Sequence, residues 1–164
     1  MPLTPANTQR LLSLVPTLQA AKERIPRPEW AKRPSEDVFS LVDQVCHLRD
    51  IEEEGYTLRI RRLLREANPE LADFDGSGIA RARDYRKQDL TLALNALDLA
   101  RRQNVALLSD LPAQAFARRG RMEGMGEITL ERLAAMMLEH DTEHRRELEE
   151  LFTALGHTEP LLGE

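Results

Sequence analysis

His140 and His144 lie four residues apart in the string His140-Asp141-Thr142-Glu143-His144. On a helix that spacing puts both imidazoles on one face, one turn above the other. The apolar stripe of the same segment, Leu130, Leu133, Met137, Leu148 and Leu151, is centred near the direction in which both rings point, so they face the core. Each buried ring brings two nitrogens that need partners, at about 1–3 kcal/mol for each group left without one. A shared metal ion answers both needs at once. Catalytic zinc commonly keeps three protein ligands and an open position, so a third ligand is expected from another helix. His47, at the margin of an apolar stripe with Ile51 and Leu58, is the candidate. Three neutral imidazoles leave the charge of the ion intact, which favours deprotonating a bound water or thiol near neutral pH. Hydrolysis also needs a base, for which Asp50, Glu54 and Glu143 are the candidates. Asp43, Asp50 and Glu54 flank His47 and are placed to orient its ring, although three acids on a helix more often form a solvated face.

Other residues give weaker signals. The same pentapeptide fits the His-x-x-Glu-His pattern of inverted zinc peptidases, but those enzymes are much larger and draw their third ligand from far downstream. Glu147, three residues beyond His144, falls toward the same face and reads as a surface salt bridge before it reads as a ligand or an orienting group. Cys46 points about 100° away from His47 and reads as a plain buried cysteine. His157 follows the Gly156 stop and is given no role. Asp73-Phe74-Asp75-Gly76-Ser77-Gly78 begins like a calcium loop, yet its twelfth position is Asp84 instead of a bidentate glutamate, so a turn is expected. Arg81, Arg83, Arg86 and Lys87, and later Arg118, Arg119 and Arg121, are read as solvated loop cations before an anion site.

These side chains must be positioned by helices. Apolar residues recur at three and four far more often than at two, and the periodicity predicts four helices. The first spans about 5–22, with Thr4 as N-cap, Pro5 at the first helical position and a kink at Pro16. The second spans about 35–67, with Ser35 as N-cap, Glu36 and Asp37 in its first turn, and Asn68-Pro69 as its stop. The third spans about 87–111 and ends before Pro112; the fourth spans about 129–155, with Gly156 at C′. Residues 23–35, with three prolines around Trp30, read as an ordered crossover. Residues 69–87 read as a long loop with at most a short helical turn, and 118–128, rich in glycine, as a loop or small hairpin.

The expected architecture is therefore all-α, a four-helix bundle with long crossover connections, forming one domain over 1–164 with its core at about 5–155. At 164 residues the chain can bury roughly 68–70% of its unfolded surface. Its balance of 41% hydrophobic and 31% charged residues is that of a folded domain. A formal net charge of -5 opposes a nucleic-acid role, since no basic face is evident. A single cysteine excludes an intramolecular disulfide, and no signal-peptide pattern or long apolar run is present, so a cytoplasmic location without membrane attachment is expected.

Taken together, the Trp30 crossover, His47 deep in the second helix, and Ile128-Thr129-Leu130 leading into the helix with His140-Asp141-x-x-His144 resemble the DinB/YfiT-like superfamily over about residues 5–155. The resemblance implies a four-helix bundle with a divalent metal, most often zinc or nickel, on His47, His140 and His144. It further implies a metal-dependent hydrolase, or a transferase using a low-molecular-weight thiol, that acts on a small molecule as a homodimer. The alternative is a non-catalytic, metal-stabilised binding or stress-response protein.

Overall fold

The structure, a computed structural model, describes residues 3–162. Thr4 caps the first helix, α1 (Pro5–Leu12), by accepting from the Asn7 N–H, and Pro5 stands where no N–H is needed. The kink expected at Pro16 falls three residues earlier, at Ser13, after which α2 (Leu14–Arg24) begins. Proline has no N–H for the carbonyl four residues back, that of Leu12, and its ring crowds that oxygen, so the helix breaks there instead of at the ring. The crossover then runs through a 3-10 turn at Arg27–Glu29, and the Trp30 indole N–H ties it to the Ile25 carbonyl at 2.9 Å.

The second long helix starts at α3 (Leu41–Asp50), not at Ser35. Ser40 accepts from the Asp43 N–H while the Asp43 carboxylate accepts from the Ser40 N–H, a reciprocal capping box that Ser35, with Val38 three residues on, cannot form. Arg33 clamps the same carboxylate with two bonds of 2.6 and 2.8 Å. The rod continues through a π-helical segment, Ile51–Tyr56, into α4 (Thr57–Arg65).

Residues 69–87 are more ordered than a loop. They hold β1 (Glu70–Leu71), then α5 (Gly76–Arg83), whose N-cap Asp75 accepts from the Gly78 N–H, and a 3-10 turn at Tyr85–Lys87. Ala80 and Tyr85 are buried in the core, which supplies the packing that a segment with two glycines lacks in propensity. Next comes α6 (Leu90–Asp110), capped by Asp89. The glycine-rich stretch is the hairpin of the two alternatives, with β2 (Arg119–Met122) antiparallel to β3 (Gly126–Thr129) and β1 parallel to β2 on its far edge. Gly120 is required there, because a Cβ would lie 2.9 Å from both the Pro69 carbonyl oxygen and Leu63 Cδ2. The last helix, α7 (Leu130–Ala154), is capped by Thr129, and Gly156 takes the positive φ of +95° that ends it.

These rods form a four-helix bundle in which α1 lies against α6 and α7, α2 and α3 against α6, and α3 and α4 against α7. Its apolar interior is divided in two. One cluster joins α2, α3 and the first half of α6 to the end of α7; the other joins α1, α4 and the hairpin to the start of α7. A buried polar layer includes residues from the middle of the bundle. Arg101 of α6, 1% exposed, donates to Asp141 of α7 at 2.6 and 3.0 Å, to Glu52 of the π segment at 2.9 Å and to the Leu11 carbonyl at 3.0 Å. Asn104 donates to the other Glu52 oxygen at 3.0 Å. Burial opposes the Arg101 charge, but Glu52 and Asp141 outweigh it and raise its pKa. No helix among the described residues is long and apolar enough to cross a membrane.

Candidate metal centre

The bundle brings His47 of α3 together with His140 and His144 of α7. The three offer ligand atoms that all lie within 4.8 Å of one another. His140 Nε2 stands 3.1 Å from His144 Nε2 and 3.4 Å from His47 Nε2. Nitrogens bound to one zinc at about 2.0–2.1 Å are separated by about 3.0 Å at a right angle and about 3.4 Å at a tetrahedral angle. The residues present therefore fit a divalent cation. Without one, nitrogen lone pairs would crowd together with few hydrogens to share.

Two of the rings, those of His47 and His140, are held neutral. Burial, reinforced by the His144 charge, pulls His47 down to about 4; burial, with His144, His47 and Arg101 around it, pulls His140 down to about 3. His144 is oriented from behind: its Nδ1 faces Gln44 Oε1 at 2.5 Å and Glu147 Oε2 at 3.2 Å. Gln44 also donates to Glu147 at 3.1 Å, and the contact with His144 holds that carboxyl at about 2. Glu147 is thus an orienting group and not merely a surface salt bridge. Sequence reasoning missed Gln44, though its place one turn before His47 was the available signal. Among the described residues, His47 Nδ1 and His140 Nδ1 have no hydrogen-bond partner. His47 is seated instead by packing, between the edges of Phe39 and Phe74 and under Gly76, where a Cβ would lie 2.8 Å from its Cε1 and 3.1 Å from its Nδ1. The first residue of α5 is therefore part of the site.

The acids named from the sequence go elsewhere. Asp43 serves the capping box and Arg33. Asp50 is bound by Arg49, Arg83 and the Tyr85 hydroxyl, which outweigh its burial and lower its pKa, and Glu54 takes two bonds from Arg83. None of the three bonds to His47. Only Glu143 of the proposed bases lines the cavities that open on His140, both of them, from an exposed position. The larger, 610 Å³, also exposes His47, His144 and Glu147; the smaller, 310 Å³, is otherwise lined by different residues.

The remaining candidates resolve simply. Cys46 is buried, which pushes its thiol up to about 11. His157, given no role from the sequence, stacks on Phe152 and meets Glu29 at 2.9 Å, tying the C-terminal turn to the crossover. The Asp73–Gly78 stretch is a turn and helix cap. Lys87 pairs with Asp84, Arg119 with Glu127 and Arg121 with Glu70, while Arg118 donates to the Leu63 and Glu66 carbonyls. Arg81 and Arg86 line a separate cavity of 460 Å³.

The depressed histidines make the metal-free protein acid-sensitive. An unfolded histidine titrates near about 6.5, whereas folded His47 and His140 resist protons down to about 4 and 3. Between those limits the unfolded chain binds more protons, so stability falls as pH falls. The melting temperature of metal-free protein is expected to drop steadily from pH 6.5 to 4, and to drop less in His140→Leu. A flat profile over that interval in calorimetry would contradict the neutral-ring assignment.

The family model described as the DinB superfamily matches residues 7–148. Among solved structures, that of YfiT from Bacillus subtilis, described as a probable metal-dependent hydrolase with an unusual four-helix bundle topology, superposes with a TM-score of 0.83. It is 23% identical, over 93% of this chain and 87% of its own. No curated protein matches in sequence.

Proposed function

The chain belongs to the DinB superfamily, and from that premise we propose that it is a divalent-metal-dependent enzyme with zinc or nickel held by His47, His140 and His144. The observation that carries the reading is the convergence of their ring nitrogens, 3.1 and 3.4 Å apart, on the wall of a 610 Å³ cavity. The description of YfiT as a probable metal-dependent hydrolase supports the same class of chemistry. Bound there, the ion supplies a Lewis acid that lowers the pKa of a water or of a small thiol.

The protein residues do the rest. Gln44 and Glu147 hold the His144 ring by its Nδ1, which leaves Nε2 turned to the centre. Phe39, Phe74 and Gly76 fix the His47 ring by contact. Glu143 is the carboxylate common to both cavities and accepts the proton in hydrolysis. A thiol-dependent transfer needs no such base once the thiol has ionised. The two reactions therefore separate on Glu143.

Protein purified without an affinity tag is expected to carry close to one equivalent of metal per chain by elemental analysis. Loaded protein would then be assayed for ester and amide hydrolysis, and for transfer of a small thiol to an electrophile. If hydrolysis is the activity, Glu143→Gln should lower it by about 10²–10⁴-fold; if thiol transfer is, the same variant should leave it nearly intact. A protein that takes up neither zinc nor nickel when offered them would sink the reading.

A further inference from the structure

Arg59 of α4 is only 6% exposed, and among the described residues no carboxylate lies within ion-pair distance of it. The other deeply buried arginine, Arg101, has two carboxylates in contact. The hydrogen bond of Arg59 goes from Nη2 to the Ala72 carbonyl at 3.2 Å, which leaves its other N–H groups to the 310 Å³ cavity it lines. Tyr56, 2% exposed and three residues earlier, lines the same cavity, and its hydroxyl has no hydrogen-bond partner among the described residues. Burial opposes the Arg59 charge and Asp73 eases it only from a distance, so the remaining guanidinium N–H groups and the Tyr56 hydroxyl present polar hydrogens to the cavity instead of to a protein acceptor. Both become satisfied if an oxyanion enters.

The rest of the wall indicates what carries that oxyanion. Phe74, Met122 and Met136 make it apolar, and His140 of the metal centre is part of the same wall. Arg132 and Glu139, also on the wall, neutralise one another at 2.7 Å, while Asp73 and Glu143 are exposed. At about 30 Å³ per water, 310 Å³ is the space of roughly ten waters, which suits a ligand of about ten non-hydrogen atoms. We propose that this cavity binds the carboxylate end of a small apolar acid, with the guanidinium of Arg59 and the hydroxyl of Tyr56 on the carboxylate and the apolar body against Phe74, Met122 and Met136. The acid is the substrate, presented to the metal centre past His140; that last step rests on the proposed function, whereas the carboxylate site does not.

Carboxylates also bind metals, so the test uses metal-free, full-length protein. In titration calorimetry, 3-phenylpropionate is expected to bind one per chain, at least tenfold more tightly than 3-phenylpropionamide or acetate. Arg59→Met should weaken it at least tenfold, Arg59→Lys less, and Tyr56→Phe severalfold. In wild-type protein the Arg59 Nε–H resonance should shift during the titration, a readout that needs no variant to fold. The proposal is overturned if the amide binds as well as the acid, if Arg59→Met binds unchanged, or if the wild type shows neither binding nor a shifted resonance. A protein that binds the acid through Arg59 but takes up no metal would defeat the proposed function and leave this site standing; one that takes up metal and ignores the acid would do the reverse.

Discussion

Zinc or nickel should raise the unfolding temperature of the metal-free protein by roughly ten degrees, and the His140→Ala/His144→Ala variant should show no such rise. A ligand that binds only the folded state stabilises it by about 4 kcal/mol at a thousand times its dissociation constant. For a domain of this size each kcal/mol moves the midpoint by about 2–4 °C. The three ring nitrogens come from helices nearly a hundred positions apart in the chain, so the unfolded state cannot present them together. Removing both histidines of α7 leaves one of three ligands. The variant should nevertheless fold, because the apolar neighbours of α7 and its Asp141–Arg101 contacts stay in place. Equal melting temperatures for wild type with and without metal, at saturating concentrations, would remove the basis for any metal chemistry here.

Arg101→Ala should be the most damaging single substitution in the bundle. It leaves Glu52, 0% exposed, and Asp141, 3% exposed, as two buried acids with no cation between them. Breaking a buried ion pair by deleting one partner costs about 3–5 kcal/mol, out of a total that is typically about 5–15 kcal/mol. The variant should therefore unfold at far lower urea concentration. Replacing all three charges together, as Arg101→Met, Glu52→Gln and Asp141→Asn, should recover most of the loss, because no charge is then left unpaired. A loss below about 1 kcal/mol for Arg101→Ala would mean that water reaches the layer and screens it.

Much of this site was legible because it is local. The His-x-x-x-His spacing on one apolar face needs only helix geometry, and the caps at Thr4 and Thr129 need only neighbouring residues. The Ser40–Asp43 capping box was equally local, but Glu36 and Asp37 beside Ser35 imitate a helix start more loudly than a serine within an apolar run. What could not be read depends on contacts between distant segments. The strand β1 is two residues long and exists because Glu70 and Leu71 pair with Arg121 and Met122. Asp50 and Glu54 look like bases beside His47 until α5 folds and delivers Arg83 to both. Arg101 sits on the buried face of α6, and nothing near it in the chain announces Asp141 forty residues on.

The π-helical segment between His47 and Arg59 has a consequence for how this protein changes over generations. A π turn holds one more residue than an α turn without advancing the helix by a further turn. Loss of a single codon within Ile51–Tyr56 would let the rod relax to plain α-helix while everything downstream kept its orientation relative to His47. Arg59 and the histidines would keep their places, and the residues of the segment itself, Tyr56 among them, would shift by one position. Gains and losses of length at this point are therefore a route by which the wall around Tyr56 could be reshaped while one inherited metal centre stays in place.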